Sequence, residues 1–152
     1  MKFTLNGKVV EEEVAANVTL LEFLRDKFNR TSVKMGCDEG ECGTCTVLLN
    51  GETVNSCLVL AVQVENQEVT TLEGLGENGE LDVIQRAFLE NYGTQCGFCT
   101  PGMVLATKSL LDRTPIPSEE QIKEALEGNL CRCTGYQQII ESVLKAAEMR
   151  TA

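Results

Sequence analysis

Eight of the 152 residues are cysteines, and they fall into two sets with different spacings. The first reads Cys37-Asp-Glu-Gly-Glu-Cys42-Gly-Thr-Cys45, with a fourth member at Cys57. Counted out, this is C-x4-C-x2-C, eleven residues, then C. The second set is Cys96-Gly97-Phe98-Cys99 followed by Cys131-Arg132-Cys133. Four thiolates in a group can hold a metal centre, pair as disulfides or act as a redox couple. Gly36, Gly40 and Gly43 crowd the first loop. A loop wrapped around a metal centre bends sharply and brings backbone N–H groups toward the sulfurs, which glycine permits at the lowest steric cost. In the second set, residues two apart on a helix would point to nearly opposite sides. Cys131 and Cys133 can therefore face one centre only from a loop, and Gly128 and Gly135 allow one.

Composition removes several kinds of chemistry. Thirteen basic and 23 acidic residues give a net charge of −10, against the basic patch expected of a nucleic-acid binder. There is no histidine. That excludes a Rieske cluster, a haem attachment site of the C-x-x-C-H type, Cys–His nucleophilic catalysis and mixed Cys/His zinc sites. The start of the chain, Met1-Lys-Phe-Thr-Leu-Asn-Gly-Lys, has no apolar segment of the signal-peptide kind, and no apolar run approaches the roughly eighteen residues of a membrane span. Eight cysteines without a secretion signal point to the cytoplasm, where metal ligation is favoured over disulfides.

The elements that must position these thiols change character along the chain. Phe3 and Leu5 alternate with polar residues, Asn6-Gly7 is a hairpin turn, and Val9 to Val14 reads as the return strand. Thr19 and Glu22 form a capping box for a helix with Leu20, Phe23 and Leu24 on its apolar stripe and Phe28 at its end. Thr44 to Leu49, Asn50-Gly51 and Glu52 to Asn55 make a second hairpin, with Cys57 just past it, and Val69 to Leu72 reads as a last strand. Glu73-Gly-Leu-Gly-Glu-Asn-Gly-Glu80 is rich in glycine and acid and reads as a linker.

Beyond the linker the periodicity is helical. Leu81, Ile84 and Phe88 mark one helix. Thr100 as cap with Pro101 at the first helical position opens a second, with Met103, Ala106 and Leu110 on its stripe. Ser118 with Gln121 caps a third, which Gly128 would end in left-handed geometry. Ile139, Ile140, Val143, Leu144 and Ala147 mark a fourth. The pattern divides the chain into an α+β domain at residues 1–74, a linker at 75–80 and a four-helix bundle at 81–152. Both cysteine pairs of the second set then fall on loops at one end of the bundle, beside the N-termini of the helices starting near Thr100 and Gly135. For that set, structural zinc, a thioredoxin-like redox pair and a disulfide remain alternatives on spacing alone, although no βαβ pattern surrounds Cys96-Gly-Phe-Cys99.

The first set has the spacing by which plant-type ferredoxins hold a [2Fe–2S] cluster, and that likeness implies a β-grasp fold for the N-terminal domain. Taken with Gln95-Cys-Gly-Phe-Cys-Thr-Pro-Gly102 and Gly128-Asn-Leu-Cys-Arg-Cys-Thr-Gly-Tyr136, the whole chain resembles the iron–sulfur subunit, or N-terminal iron–sulfur region, of the molybdenum hydroxylases, the xanthine dehydrogenase, aldehyde oxidoreductase and carbon monoxide dehydrogenase group. The resemblance implies one [2Fe–2S] cluster on Cys37, Cys42, Cys45 and Cys57 and a second on Cys96, Cys99, Cys131 and Cys133. It implies a large partner subunit carrying molybdopterin and the substrate pocket, and a medium subunit carrying FAD, in a hetero-oligomer such as a dimer of heterotrimers. This chain would then be the electron-transfer subunit of an oxidoreductase, without a substrate site of its own. The helical-domain cluster would lie nearest the molybdopterin and the ferredoxin-like one toward the flavin. Gln95 matches the family glutamine that touches the pterin, and Cys133 the ligand that also contacts its amino group. Two further readings stand beside this one. A free-standing two-cluster ferredoxin would carry a polar surface everywhere, and a zinc-stabilised interaction module would be colourless.

Overall fold

A computed structural model describes all of residues 1–152. The N-terminal domain is a five-stranded mixed sheet, β1 Lys2–Leu5, β2 Lys8–Glu11, β3 Thr46–Leu49, β4 Glu52–Asn55 and β5 Glu68–Thr70. Its strand order is β2-β1-β5-β3-β4. Two tight hairpins, β1–β2 and β3–β4, are antiparallel, while β5 enters between them, parallel to β1 (Leu5 opposite Val69) and antiparallel to β3 (Leu49 opposite Val69). Asn6 and Asn50 sit at φ 51° and 52°, and Gly7 and Gly51 follow at 74° and 86°, the two left-handed residues that an Asn-Gly hairpin turn supplies.

Helix α1, Leu20–Glu22, runs on as a π-helical turn over Phe23–Lys27. Its start is the expected capping box: the Thr19 hydroxyl accepts from Glu22 N, and the Glu22 carboxylate accepts from Thr19 N at 2.9 Å. The helix packs Leu20, Leu21, Phe23 and Leu24 onto the sheet, closing a core with Phe3, Leu5, Val47 and Val69. Three of the five phenylalanines meet there, Phe23 and Phe28 edge to face at 5.1 Å and Phe3 and Phe28 at 5.7 Å. This is the β-grasp arrangement.

The C-terminal half is the four-helix bundle, α2 Val83–Glu90, α3 Thr100–Arg113, α4 Glu119–Leu126 and α5 Gln137–Thr151. Its separate core gathers Ile84, Phe88, Met103, Leu110, Ile122, Ile139 and Val143.

Several local expectations shift. The return strand β2 stops at Glu11, because beyond Glu12, which still exchanges bonds with Met1, the chain turns and lays Val14 and Val18 against the core. The last strand ends at Thr70, and Leu72–Gly74 tightens into a 3₁₀ turn. Leu81 lies outside α2 and is exposed, since Asp82 caps that helix in a box with Gln85. Cys99, not Thr100, is the residue flanking α3. Leu144 is only partly covered, at the outer edge of its stripe. Gly128 does not take the left-handed conformation. The end of α4 tightens instead, with Glu127 N bonding Glu124 O and Asn129 N bonding Leu126 O.

Helix α3 also departs from a one-faced helix. Met103, Val104, Ala106, Leu110 and Leu111 enter the bundle core. The opposite stripe, Gly102, Leu105 and Ser109 at i, i+3 and i+7, faces the ferredoxin-like sheet. A Cβ on Gly102 would lie 3.5 Å from the Thr46 Cβ, and the Ser109 hydroxyl donates to Gly51 O at 2.9 Å. Strand β3 answers with its own two faces: Val47 enters the N-terminal core, while Leu48 is buried outside it, as Leu105 is outside the bundle core. At the far end of α3, Arg113 pairs with Glu52 at 3.0 Å. The two domains therefore share a buried seam along α3 and β3.

Candidate metal centres

The first cysteine loop is built by left-handed turns at Asp38, Gly40 and Gly43. Gly40, at φ 84°, sits under the side chain of Leu58, the residue after Cys57. The loop aims its backbone at sulfur: Cys42 N donates to Cys37 Sγ at 3.4 Å, and the Thr44 hydroxyl lies 3.2 Å from Cys42 Sγ. The N–H groups of Glu39 and Cys42 bring the Cys37 thiol down to about 7. Cys45 and Cys57 are buried with their sulfurs 3.4 Å apart. Burial, with the Cys45 thiol beside it, pushes Cys57 up to about 11.

The second set lies where two loops of the bundle converge. Left-handed backbone at Gly97, Gly135 and Tyr136 turns those loops. Cys99 and Cys131 are half-buried neighbours, whereas Cys96 and Cys133 are exposed neighbours. Burial, then the Cys131 thiol, pushes Cys99 up to about 12. Burial works against the Cys131 thiolate, but the Thr134 hydroxyl at 3.1 Å and the Thr134 N–H at 3.4 Å outweigh it and lower that thiol. The Cys96 thiol raises Cys133. Tyr136 Oη accepts from Cys131 N at 2.9 Å and holds the loop. The helices that follow, α3 after Cys99 and α5 after Tyr136, present their N-terminal ends here, which favours an anionic group. Gln95 stands on the same exposed rim.

All eight sulfurs are unpaired thiols, and they come in couples: Cys37 with Cys42, Cys45 with Cys57, Cys99 with Cys131, and Cys96 with Cys133. No three Cys, Asp or Glu side chains gather as one ion would need. Couples suit a binuclear centre, in which each of two irons takes two thiolates, better than a single tetrahedral zinc. Thr44, Thr134 and Tyr136 are supporting residues that spacing did not single out, although Thr44 lies inside the Cys37–Cys45 motif and Thr134 and Tyr136 inside the Gly128–Tyr136 motif.

Known proteins agree. The family described as "2Fe-2S iron-sulfur cluster binding domain" matches residues 3–72, and that described as "[2Fe-2S] binding domain" matches residues 71–144. The nicotinate dehydrogenase small FeS subunit of Eubacterium barkeri is 48% identical over 97% of this chain and 94% of its own length. The nicotine 6-hydroxylase small subunit of Paenarthrobacter nicotinovorans is 45% identical over 93% of this chain and 86% of its own length. In the crystal structure of quinoline 2-oxidoreductase from Pseudomonas putida 86, one chain superimposes with a TM-score of 0.95 at 40% identity, covering 99% of this chain and 94% of that one. The chain belongs to the iron–sulfur subunit family of the molybdenum hydroxylases, whose members serve electron transfer inside oxidoreductases.

Proposed function

We propose that Cys37, Cys42, Cys45 and Cys57 ligate one [2Fe–2S] cluster, Cys96, Cys99, Cys131 and Cys133 a second, and that the pair relays electrons between a molybdopterin centre on a large partner subunit and FAD on a medium subunit or an external acceptor. Each bound cluster supplies a one-electron carrier, so two divide a two-electron oxidation into single steps. The chain's own residues supply the paired thiolates, the N–H and hydroxyl donors to sulfur, and the shielding of Cys45, Cys57 and Cys99. The observation that carries the reading is the coupling of the eight thiols into four pairs, two pairs in each domain.

Gln95 and the exposed Cys133 share one rim with Phe98, which is 46% exposed beside its neighbouring thiols. That apolar exposure supports a face covered by the molybdopterin subunit, with Gln95 and Cys133 against the pterin, over a carrier that docks only in passing. Leu58, 62% exposed next to Cys57, supports a second covered face at the ferredoxin-like cluster, toward the flavin. The assembly is a hetero-oligomer, and the eight unpaired thiols support a cytoplasmic setting. No helix is long and apolar enough to cross a membrane. The domain limits are 1–74 and 81–152, with the glycine-rich 75–80 between them. Iron and acid-labile sulfide assays test the centre assignment, with about four of each expected per chain. Native purification tests the partner: a molybdenum-containing polypeptide is expected to stay with this chain through size exclusion at high salt. Gln95→Ala is expected to keep both clusters and slow transfer out of reduced molybdenum.

A further inference from the structure

The two cysteine loops touch each other. Leu130 N donates to the Cys42 carbonyl at 2.9 Å. Cys42 carries a thiol of the first set, and Leu130 is bonded to Cys131 of the second, so one hydrogen bond is the only gap in an otherwise covalent route from Cys42 Sγ to Cys131 Sγ. Beside it lies Asn129, only 6% exposed despite its carboxamide. A buried amide must use its donors or lose stability. Asn129 Nδ2 uses both across the seam, donating to Gly43 O at 2.9 Å and to Thr46 Oγ1 at 3.1 Å, while the Thr46 hydroxyl itself donates to Gly43 O at 2.7 Å.

Two glycines, one from each domain, make this approach sterically feasible. Gly43 is at φ 68°, and a Cβ there would collide with the Gly128 carbonyl and lie 2.7 Å from Asn129 Nδ2. A Cβ on Gly102 would lie 2.5 Å from Gly43 O and 2.8 Å from Asn129 Nδ2. The remaining polar ties across the seam, Ser109 to Gly51 and Arg113 to Glu52, lie toward the other end of α3.

We propose that Asn129 is the positioning residue of the relay: its carboxamide holds the two cysteine loops at one spacing and keeps the Cys42 carbonyl and the Leu130 N–H joined as the bonded bridge between the centres. This rests on the assignment of the two cysteine sets to two [2Fe–2S] clusters. With both clusters bound, the transfer would move one electron, oxidising one ferrous iron and reducing one ferric iron, with no atom exchanged. Its rate falls exponentially with the gap, and a bonded route outpaces a jump through open space. An asparagine that fixes the loop spacing therefore sets the rate without touching a sulfur.

The test uses the full chain loaded with iron and sulfide, as wild type, Asn129→Ala, Gly102→Ala, and the paired control Ser109→Ala with Arg113→Ala. Wild type is expected to show two EPR signals after dithionite reduction; a single signal overturns the cluster assignment and the proposal with it. With two signals present, both single variants are expected to keep their iron and to show altered spin–spin splitting between the reduced centres. They are also expected to lose hydrogen-exchange protection at the Leu130 amide. Transfer between the centres after flash reduction is expected to slow on the order of tenfold or more, the scale on which small misplacements act at a reaction centre. The control pair is expected to match wild type in all three readouts. Three results overturn the positioning role alone: unchanged splitting and rate in Asn129→Ala, a control pair as slow as the single variants, or loss of iron from both single variants, which would make the contact one of cluster retention.

Discussion

At the scale of single residues, hydrogen bonds to sulfur distinguish the thiols. Cys131 Sγ receives both the hydroxyl and the N–H of Thr134. Such donors stabilise the more negative, reduced form of a cluster and raise its potential. Thr134→Val removes the hydroxyl and leaves the N–H. The potential of the helical-domain cluster is expected to fall while the ferredoxin-like one stays put, as read by an EPR-monitored redox titration. A fall in both potentials would mean that the variant disturbs the loop contact and not one sulfur. Which residues carry thiols was plain from the spacing of Cys37 to Cys57 and from the two short loop motifs. Which thiol pairs with which was not, because Cys96 meets Cys133, and Cys99 meets Cys131, only after the bundle brings two distant loops together.

At the scale of elements, the hairpins and most caps were legible because their signals are local. Asn6-Gly7, Asn50-Gly51, Thr19 with Glu22 and Ser118 with Gln121 each act within a few residues. The box of Asp82 and Gln85 was hidden by Leu81, whose apolar side chain extends the stripe by one turn but points into water. The second face of α3 was illegible for a physical reason. Gly102 and Ser109 lie off the Met103, Ala106 and Leu110 stripe, and they are small because another domain's backbone lies against them. Leu105→Ala tests this directly. If its side chain fills the seam, the truncation is expected to cost about 2–5 kcal/mol, measured by denaturant unfolding. A cost near zero would place Leu105 at a loose surface.

Glu73 makes a second tie, at the end of the N-terminal domain. Burial opposes its carboxylate, but the Ser32 hydroxyl, the Thr71 hydroxyl and the Ser32 N–H outweigh that and hold its pKa below the ordinary glutamate value. A folded pKa below the unfolded one stabilises at pH above the unfolded value, and that contribution is lost as pH falls through the folded value. Glu73→Gln is therefore expected to be less stable than wild type near neutrality. The difference should close below about pH 4, as followed by denaturant midpoints from pH 7 to pH 3. A gap that stays constant would assign the effect to packing.

At the scale of the whole molecule, two cores and one seam describe the chain better than two beads on a string. The sequence placed a glycine-rich break after Glu73 and so suggested independence, but nothing in the composition of 75–80 reveals that α3 crosses back over β3. The seam turns the joint into something a protease can cut without separating the halves. A nick within 75–80 is expected to leave two fragments that travel together on size exclusion, retain both EPR signals, and part only in denaturant. The same fragments expressed alone would each expose one side of the seam, Leu48 on the first and Leu105 on the second, and would be prone to self-association. Mixed, they should reassemble by complementation. A helix buried on both faces is thus expected to make this small protein heal like a split reporter, the second fragment restoring the covered surface that the first cannot close by itself.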